Sequence, residues 1–102
     1  MDSEKVDPRL LSDLELTERV RSFVADAADF QHEEIANDAS LFADIGMDSL
    51  GFIAVFIDVA YVFGIPEPSS EEEYKALDSV EKIVRYIRER QEGGANGPGE
   101  TA

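Results

Sequence analysis

The sequence contains no cysteine and no tryptophan. Without cysteine there is no disulfide framework and no thiolate metal site, so any thiol chemistry must come from an added group. Histidine occurs once, at His32, which leaves no second imidazole for a metal cluster and no partner around which to build a triad; it reads as a solvent-facing loop residue. Cations are scarce. Only 9 Lys and Arg stand against 23 Asp and Glu, a formal net charge of −14, which excludes nucleic-acid binding because that needs a basic footprint. Long apolar runs are missing as well. The most apolar stretch, Leu50 to Phe63, is too short to span a bilayer and contains Asp58. Met1 to Arg9 is charged and lacks the apolar core of a signal peptide. The expectation is a cytoplasmic chain with no membrane insertion.

What is present amounts to one domain. A chain of 102 residues with 43% hydrophobic content is too apolar to be disordered and too small to wall a deep catalytic cleft. A non-catalytic, monomeric docking module is expected rather than an enzyme. The charge is unevenly placed. Between Arg21 and Lys75 there is no Lys or Arg, while Asp26, Asp38, Asp44, Asp48, Asp58 and Glu71 to Glu73 all fall within that stretch. Most of these side chains are a solvated surface. Together they also set up a field that steers basic partners toward the middle of the molecule.

Hydrophobic periodicity predicts helices only. Leu16, Val20, Phe23, Val24 and Ala27 mark one face of a first helix, capped by Ser12 or Asp13. From Phe30 to Asp48 the periodicity is lost, and the segment reads as a long loop pinned by Ile35, Leu41, Phe42 and Ile45, with Gly46 turning the chain. A second helix begins near Ser49 and stops at Gly64, ahead of Pro66 and Pro68. Glu71 to Lys75 forms a short helix or turn. The last helix carries Val80, Ile83, Val84 and Ile87 on one face and is capped by Asp78 with Glu81, or by Ser79. The expected organisation is a flexible segment 1–12, a helical domain 13–91 and a disordered Gly-rich tail 92–102. Its fold class is all-α: three main helices and one short one.

The second helix stands out. Phe52, Val55, Phe56, Val59, Val62 and Phe63 form an ordinary core stripe. Leu50, Ile53, Ile57 and Tyr61 form another on a different side. So small a domain cannot bury both, so part of the second stripe is expected to be a contact surface. Asp48 and Ser49 open this helix. As a dipeptide they fit two readings, simple capping or a modified hydroxyl at a helix N-terminus.

The run from Ile35 to Leu50, IANDASLFADIGMDSL, resembles the signature of acyl carrier proteins: a polar loop, an apolar pair, Asp, an aliphatic residue and Gly ahead of Asp-Ser-Leu. Glu18-Arg19-Val20, the Phe-Gly-Ile-Pro at Phe63 to Pro66, Leu77 to Val80 and Tyr86-Ile87 are similar to the family too. The likeness covers Leu14 to Glu89 and shifts the weight at Ser49 to the modified hydroxyl.

The resemblance implies a carrier with no catalytic or metal-binding residues of its own. Ser49 would bear 4′-phosphopantetheine, installed from coenzyme A by a phosphopantetheinyl transferase with Mg²⁺. Asp48 would serve transferase recognition or cap the helix. Acyl-loading and acyl-processing enzymes would be the other partners, docking on Leu50, Ile53, Ile57 and Tyr61. Typical members carry several acids along the second helix; here Gly51, Ala54, Ala60 and Tyr61 take much of that surface. This departure points to a dedicated pathway of polyketide or lipopeptide type. Aspartate before Ser49 looks more like acyl than like aminoacyl or peptidyl carriers, in which His is more frequent. The contrasting reading is an unmodified helical interaction module.

Overall fold

A computed structural model describes residues 5–28 and 35–96, with side chains as far as Gln91. Every regular element among the described residues is helical: a 3₁₀ turn at Pro8–Leu10, then α1 (Asp13–Ala28), α2 (Ser49–Phe63), α3 (Glu71–Ala76) and α4 (Val80–Asn96). No described helix is long and apolar enough to cross a membrane. His32, Glu33 and Glu34 lie outside the described residues, as does the tail beyond Asn96.

Each helix starts where its side chains can satisfy orphan amides. Ser12 and Glu15 close a capping box on α1: Glu15 N–H donates to Ser12 Oγ at 3.1 Å, and Ser12 N–H to the Glu15 carboxylate at 2.9 Å. Ser70 Oγ accepts from Glu73 N–H at the start of α3, and Ser79 Oγ accepts from Lys82 N–H at the start of α4. Gly64 closes α2 in the left-handed region at φ 67°, which a side chain would resist. Past Gln91, where the tail was expected to begin, α4 continues to Asn96. Gly93 and Gly94 disfavour helix but do not forbid it; Pro98, the first residue that does, comes later in the sequence.

The core is assembled from one stripe of each long helix. Leu16, Val20 and Val24 of α1 meet Phe52, Val55, Phe56 and Val59 of α2 and Val80, Ile83 and Ile87 of α4, all buried. Ile35 and Leu41 pin the loop between α1 and α2 into the same cluster. Ala27 was expected on the α1 core face, yet Ala25 is the alanine buried there and Ala27 is exposed. Only α3 has no buried residue of its own. It is held by the Tyr74 ring, edge-on to Phe56 at 5.5 Å and to Phe52 at 6.2 Å.

Residues 5–11, expected to lead loosely into the bundle, lie against it. Val6 N–H donates to the Val62 carbonyl at 2.7 Å, near the C-terminal end of α2, and Pro8 is buried. Arg88 of α4 fastens the segment. Its guanidinium donates to the carbonyls of Pro8 at 2.7 Å and Leu11 at 2.8 Å, and to the Asp13 carboxylate at 2.9 Å. The fork geometry of arginine permits all three contacts at once. Arg88→Ala should therefore cost about 2 kcal/mol, since hydrogen bonds from a charged donor are worth more than neutral ones, and lower the melting temperature by roughly 10 °C. Arg88→Lys should recover less than half of that loss in a thermal melt, because one ammonium cannot span both carbonyls.

Candidate functional site

The segment ahead of α2 has no regular secondary structure, so its backbone groups must find partners in other ways. Residues 40–45 close a helix-like turn. Asp44 N–H donates to the Ser40 carbonyl at 2.8 Å, Ala43 N–H to Ser40 Oγ at 3.0 Å, and Ser40 N–H to the Asp44 carboxylate at 2.9 Å. Gly46 then reverses the chain at φ 82°, as its type led one to expect. Met47 N–H returns to the Leu41 carbonyl at 2.9 Å, closing the loop onto itself immediately before Asp48. Asn37 ties the same loop to both neighbouring helices: its side chain accepts from Arg21 of α1, and its carbonyl accepts from Glu81 N–H of α4 at 3.0 Å.

At the head of α2 the two readings of Asp48 and Ser49 separate. Asp48 is the cap: its backbone is extended and its carboxylate accepts from Gly51 N–H at 2.8 Å. Gly51 suits that approach, since a Cβ there would lie 3.3 Å from Asp48 Oδ1. Ser49 is the first helical residue and is exposed. With the capping done by its neighbour, its hydroxyl has no hydrogen-bond partner among the described residues. Phe52 N–H is taken by the Asp48 carbonyl, so the outermost free amides at this helix end are those of Ser49 and Leu50. A phosphate carried on Ser49 Oγ would sit beside these amides and the positive end of the helix dipole. The residues present thus fit a phosphate-linked group on Ser49.

A groove of about 750 Å³ opens beside that hydroxyl. Phe42, Phe52, Ile53, Pro68 and Tyr74 supply apolar walls, and Ser70, Glu71 and Lys75 supply a polar rim. Among these walls Phe42 lies against Phe52 at 4.8 Å between ring centroids, and Phe52 is backed by the buried Phe56 at 5.2 Å. Burial, and after it the charge of Glu67, pushes the Tyr74 phenol above its ordinary value; it stays a neutral donor, directed to the Glu67 carboxylate at 3.3 Å. Among the described residues no cluster of His, Asp or Glu could hold a metal ion.

The second stripe of α2 is on the outside. Leu50 is 78% exposed, Ile53 38%, Ile57 52% and Tyr61 50%, so none of the four is a core residue. They run from the Ser49 end of the helix to its far end, with Asp58 the only charge in α2. At the far end Lys5 lies over the Tyr61 ring, 4.7 Å from its centroid. Acidic side chains are exposed on this part of the molecule: Asp44 and Asp48 in the segment that leads into α2, Asp58 within it, and Glu71 and Glu72 at the start of α3.

The sequence pattern marks Phe42 only as a loop anchor and gives Tyr74 no role. Both depend on where α3 and the loop pack against α2, which local patterns do not encode.

Comparison with known proteins agrees with this geometry. A family model described as phosphopantetheine attachment site matches residues 18–87. The chain is 32% identical over 81 residues to an acyl carrier protein of Akkermansia muciniphila, covering 79% of this chain and 99% of the relative. It is 29% identical over 75 residues to an acyl carrier protein of Buchnera aphidicola, covering 74% and 91%. An acyl carrier protein of Rickettsia bellii is also 29% identical, over 76 residues, covering 74% and 86%.

Proposed function

The chain belongs to the acyl carrier protein family, non-catalytic carriers that hold cargo on a covalent 4′-phosphopantetheine, and from that premise we propose that Ser49 is its attachment residue. The observation that carries the assignment is the division of labour at the head of α2: Asp48 caps the helix and leaves the Ser49 hydroxyl exposed and unpartnered. In the attachment step Ser49 Oγ bonds to the pantetheine-side phosphorus of coenzyme A as the pyrophosphate P–O bond breaks. Adenosine 3′,5′-bisphosphate leaves, and the hydroxyl proton passes to the transferase. The thiol at the end of the arm supplies thioester chemistry. The work of this chain's own residues is to cap, to expose and to present. Incubation with coenzyme A, Mg²⁺ and a broad-specificity phosphopantetheinyl transferase should convert the protein to a species heavier by one phosphopantetheinyl group. An unchanged intact mass would favour an unmodified interaction module instead.

The exposed stripe is the docking surface in this reading. Leu50, Ile53, Ile57 and Tyr61 bind by desolvation, and the surrounding carboxylates set orientation and on-rate. Ile57→Glu should lower kcat/KM for the enzymes that act on the arm about thirtyfold, the scale of a buried interface anchor. Its effect on folding should stay within roughly 0.5 kcal/mol, as for other surface changes. Collapse of the circular-dichroism signal would return Ile57 to the core, and unchanged kinetics in a folded variant would place the interface elsewhere.

A face with one charge in α2 suits partners less dependent on basic patches, which supports a dedicated pathway of polyketide or lipopeptide type. Loading of the holo protein should then lose less with added salt than loading of a carrier with several acids along its second helix, because the rim carboxylates make only the on-rate salt-sensitive while the apolar stripe does not respond. A steep loss with ionic strength would point to the charge-read partners of general fatty-acid synthesis.

A further inference from the structure

Asp78 directly precedes Ser79 and α4, a position from which its side chain was expected to cap that helix. The cap belongs to Ser79, whose hydroxyl accepts from Lys82 N–H at 3.2 Å. Both Asp78 carboxylate oxygens are turned instead toward the loop far upstream. Oδ2 accepts from the Ser40 hydroxyl at 2.6 Å, and Oδ1 from Phe42 N–H at 3.0 Å. The backbone carbonyl of Asp78 accepts from Leu41 N–H at 3.1 Å. One residue therefore holds three consecutive loop residues.

Those three lead straight to the attachment site. Ser40 Oγ, while donating to Asp78, accepts from Ala43 N–H and so closes the turn. Leu41 offers its carbonyl to Met47 N–H, the residue before Asp48. Phe42, once its amide is fixed, lays its ring on Phe52 and forms one wall of the groove beside Ser49. The site of modification is thus connected to the start of α4 through a short chain of hydrogen bonds.

We propose that Asp78 is a positioning residue for arm attachment: its carboxylate latches the loop, so that Phe42 and the Asp48-Ser49 pair are presented to the transferase in one arrangement. This rests on Ser49 being the attachment residue. Without the latch the loop samples other arrangements, and only the competent fraction binds. Apparent affinity then falls in proportion to that fraction, while the chemical step after binding is unchanged.

The test is the rate of phosphopantetheine transfer as a function of carrier concentration. Asp78→Ala should raise the KM for the carrier about fivefold and leave kcat within about twofold. Asp78→Asn should restore KM to within about twofold of the wild type, because its amide oxygen still accepts from Phe42 N–H and its amide N–H still reaches Ser40 Oγ. Arg88→Ala loosens the N-terminal segment at another place and should keep the wild-type KM. Ser40→Ala, which removes the Oδ2 contact together with the Ala43 N–H bond that closes the turn, should raise KM by an intermediate factor, and it carries the test if Asp78→Ala proves unfolded by circular dichroism.

A wild-type KM in folded Asp78→Ala would overturn the proposal, as would an Asn variant as impaired as the Ala variant. An equal KM shift in Arg88→Ala would show general loosening and overturn it too. If Asp78→Ala is unfolded, a wild-type KM in Ser40→Ala has the same force. Ser49→Ala separates the two assignments. If it is still modified, the attachment residue is wrong; if it is unmodified while Asp78→Ala behaves as wild type, only the latch fails.

Discussion

Phe56→Ala should unfold much of the molecule at ordinary temperatures, lowering the melting temperature by about 15–30 °C. Phe56 is 1% exposed and, among the described residues, is the one ring in edge contact with rings from three segments: Phe52 within α2, Tyr74 of α3 at 5.5 Å and Tyr86 of α4 at 5.9 Å. Truncating a buried phenylalanine costs about 3–5 kcal/mol in lost transfer energy and cavity formation. Total stability for a domain of this size is itself only about 5–15 kcal/mol. Each lost kcal/mol lowers the midpoint by roughly 4–8 °C in a domain this short. The loss also reaches the site. α3 has no buried residue and rests on the Phe52–Phe56 pair through Tyr74, so the groove wall beside Ser49 should loosen before α1 and α4 separate. Hydrogen exchange of the amides of α3 in a partly destabilising denaturant should show it opening first. A midpoint within a few degrees of the wild type would mean that the aromatic cluster is not the centre of the core.

The contrast between Phe56 and Ile57, adjacent in sequence and opposite in burial, was legible without coordinates. Two apolar stripes on one helix cannot both be covered by two partner helices, and the stripe that continues through Val59 and Phe63 matched the apolar faces of α1 and α4. The helices, the loop turn at Gly46 and the stop signal at Gly64 were equally readable, because caps and left-handed turns are written in neighbouring residues. What local patterns did not carry is long-range hydrogen bonding. Nothing in the pattern around Arg88 points beyond its own helix, yet it reaches Pro8 and Leu11 across the bundle. Asp78 looked like a cap, and the adjacent Ser79 takes that role, leaving a carboxylate free to bond the loop. The N-terminal segment read as loose because it is polar and short of apolar residues. Val6 and Pro8 are enough to seat it once Arg88 accounts for its carbonyls.

At the head of α2 the dipeptide Asp48-Ser49 was ambiguous, since both residue types cap helices. The geometry divides them, and that division makes Ser49 separable from folding. Replacing it should remove a hydroxyl that holds nothing together, at a first-turn position where alanine is well tolerated. The most direct measurement is therefore the intact mass of wild type and Ser49→Ala side by side, after incubation with coenzyme A, Mg²⁺ and a broad-specificity transferase, with circular dichroism of both. The expected result is one phosphopantetheinyl group on the wild type, none on Ser49→Ala, and superimposable helical spectra. A phosphopantetheinyl mass gain on a folded Ser49→Ala protein would contradict the assignment of Ser49.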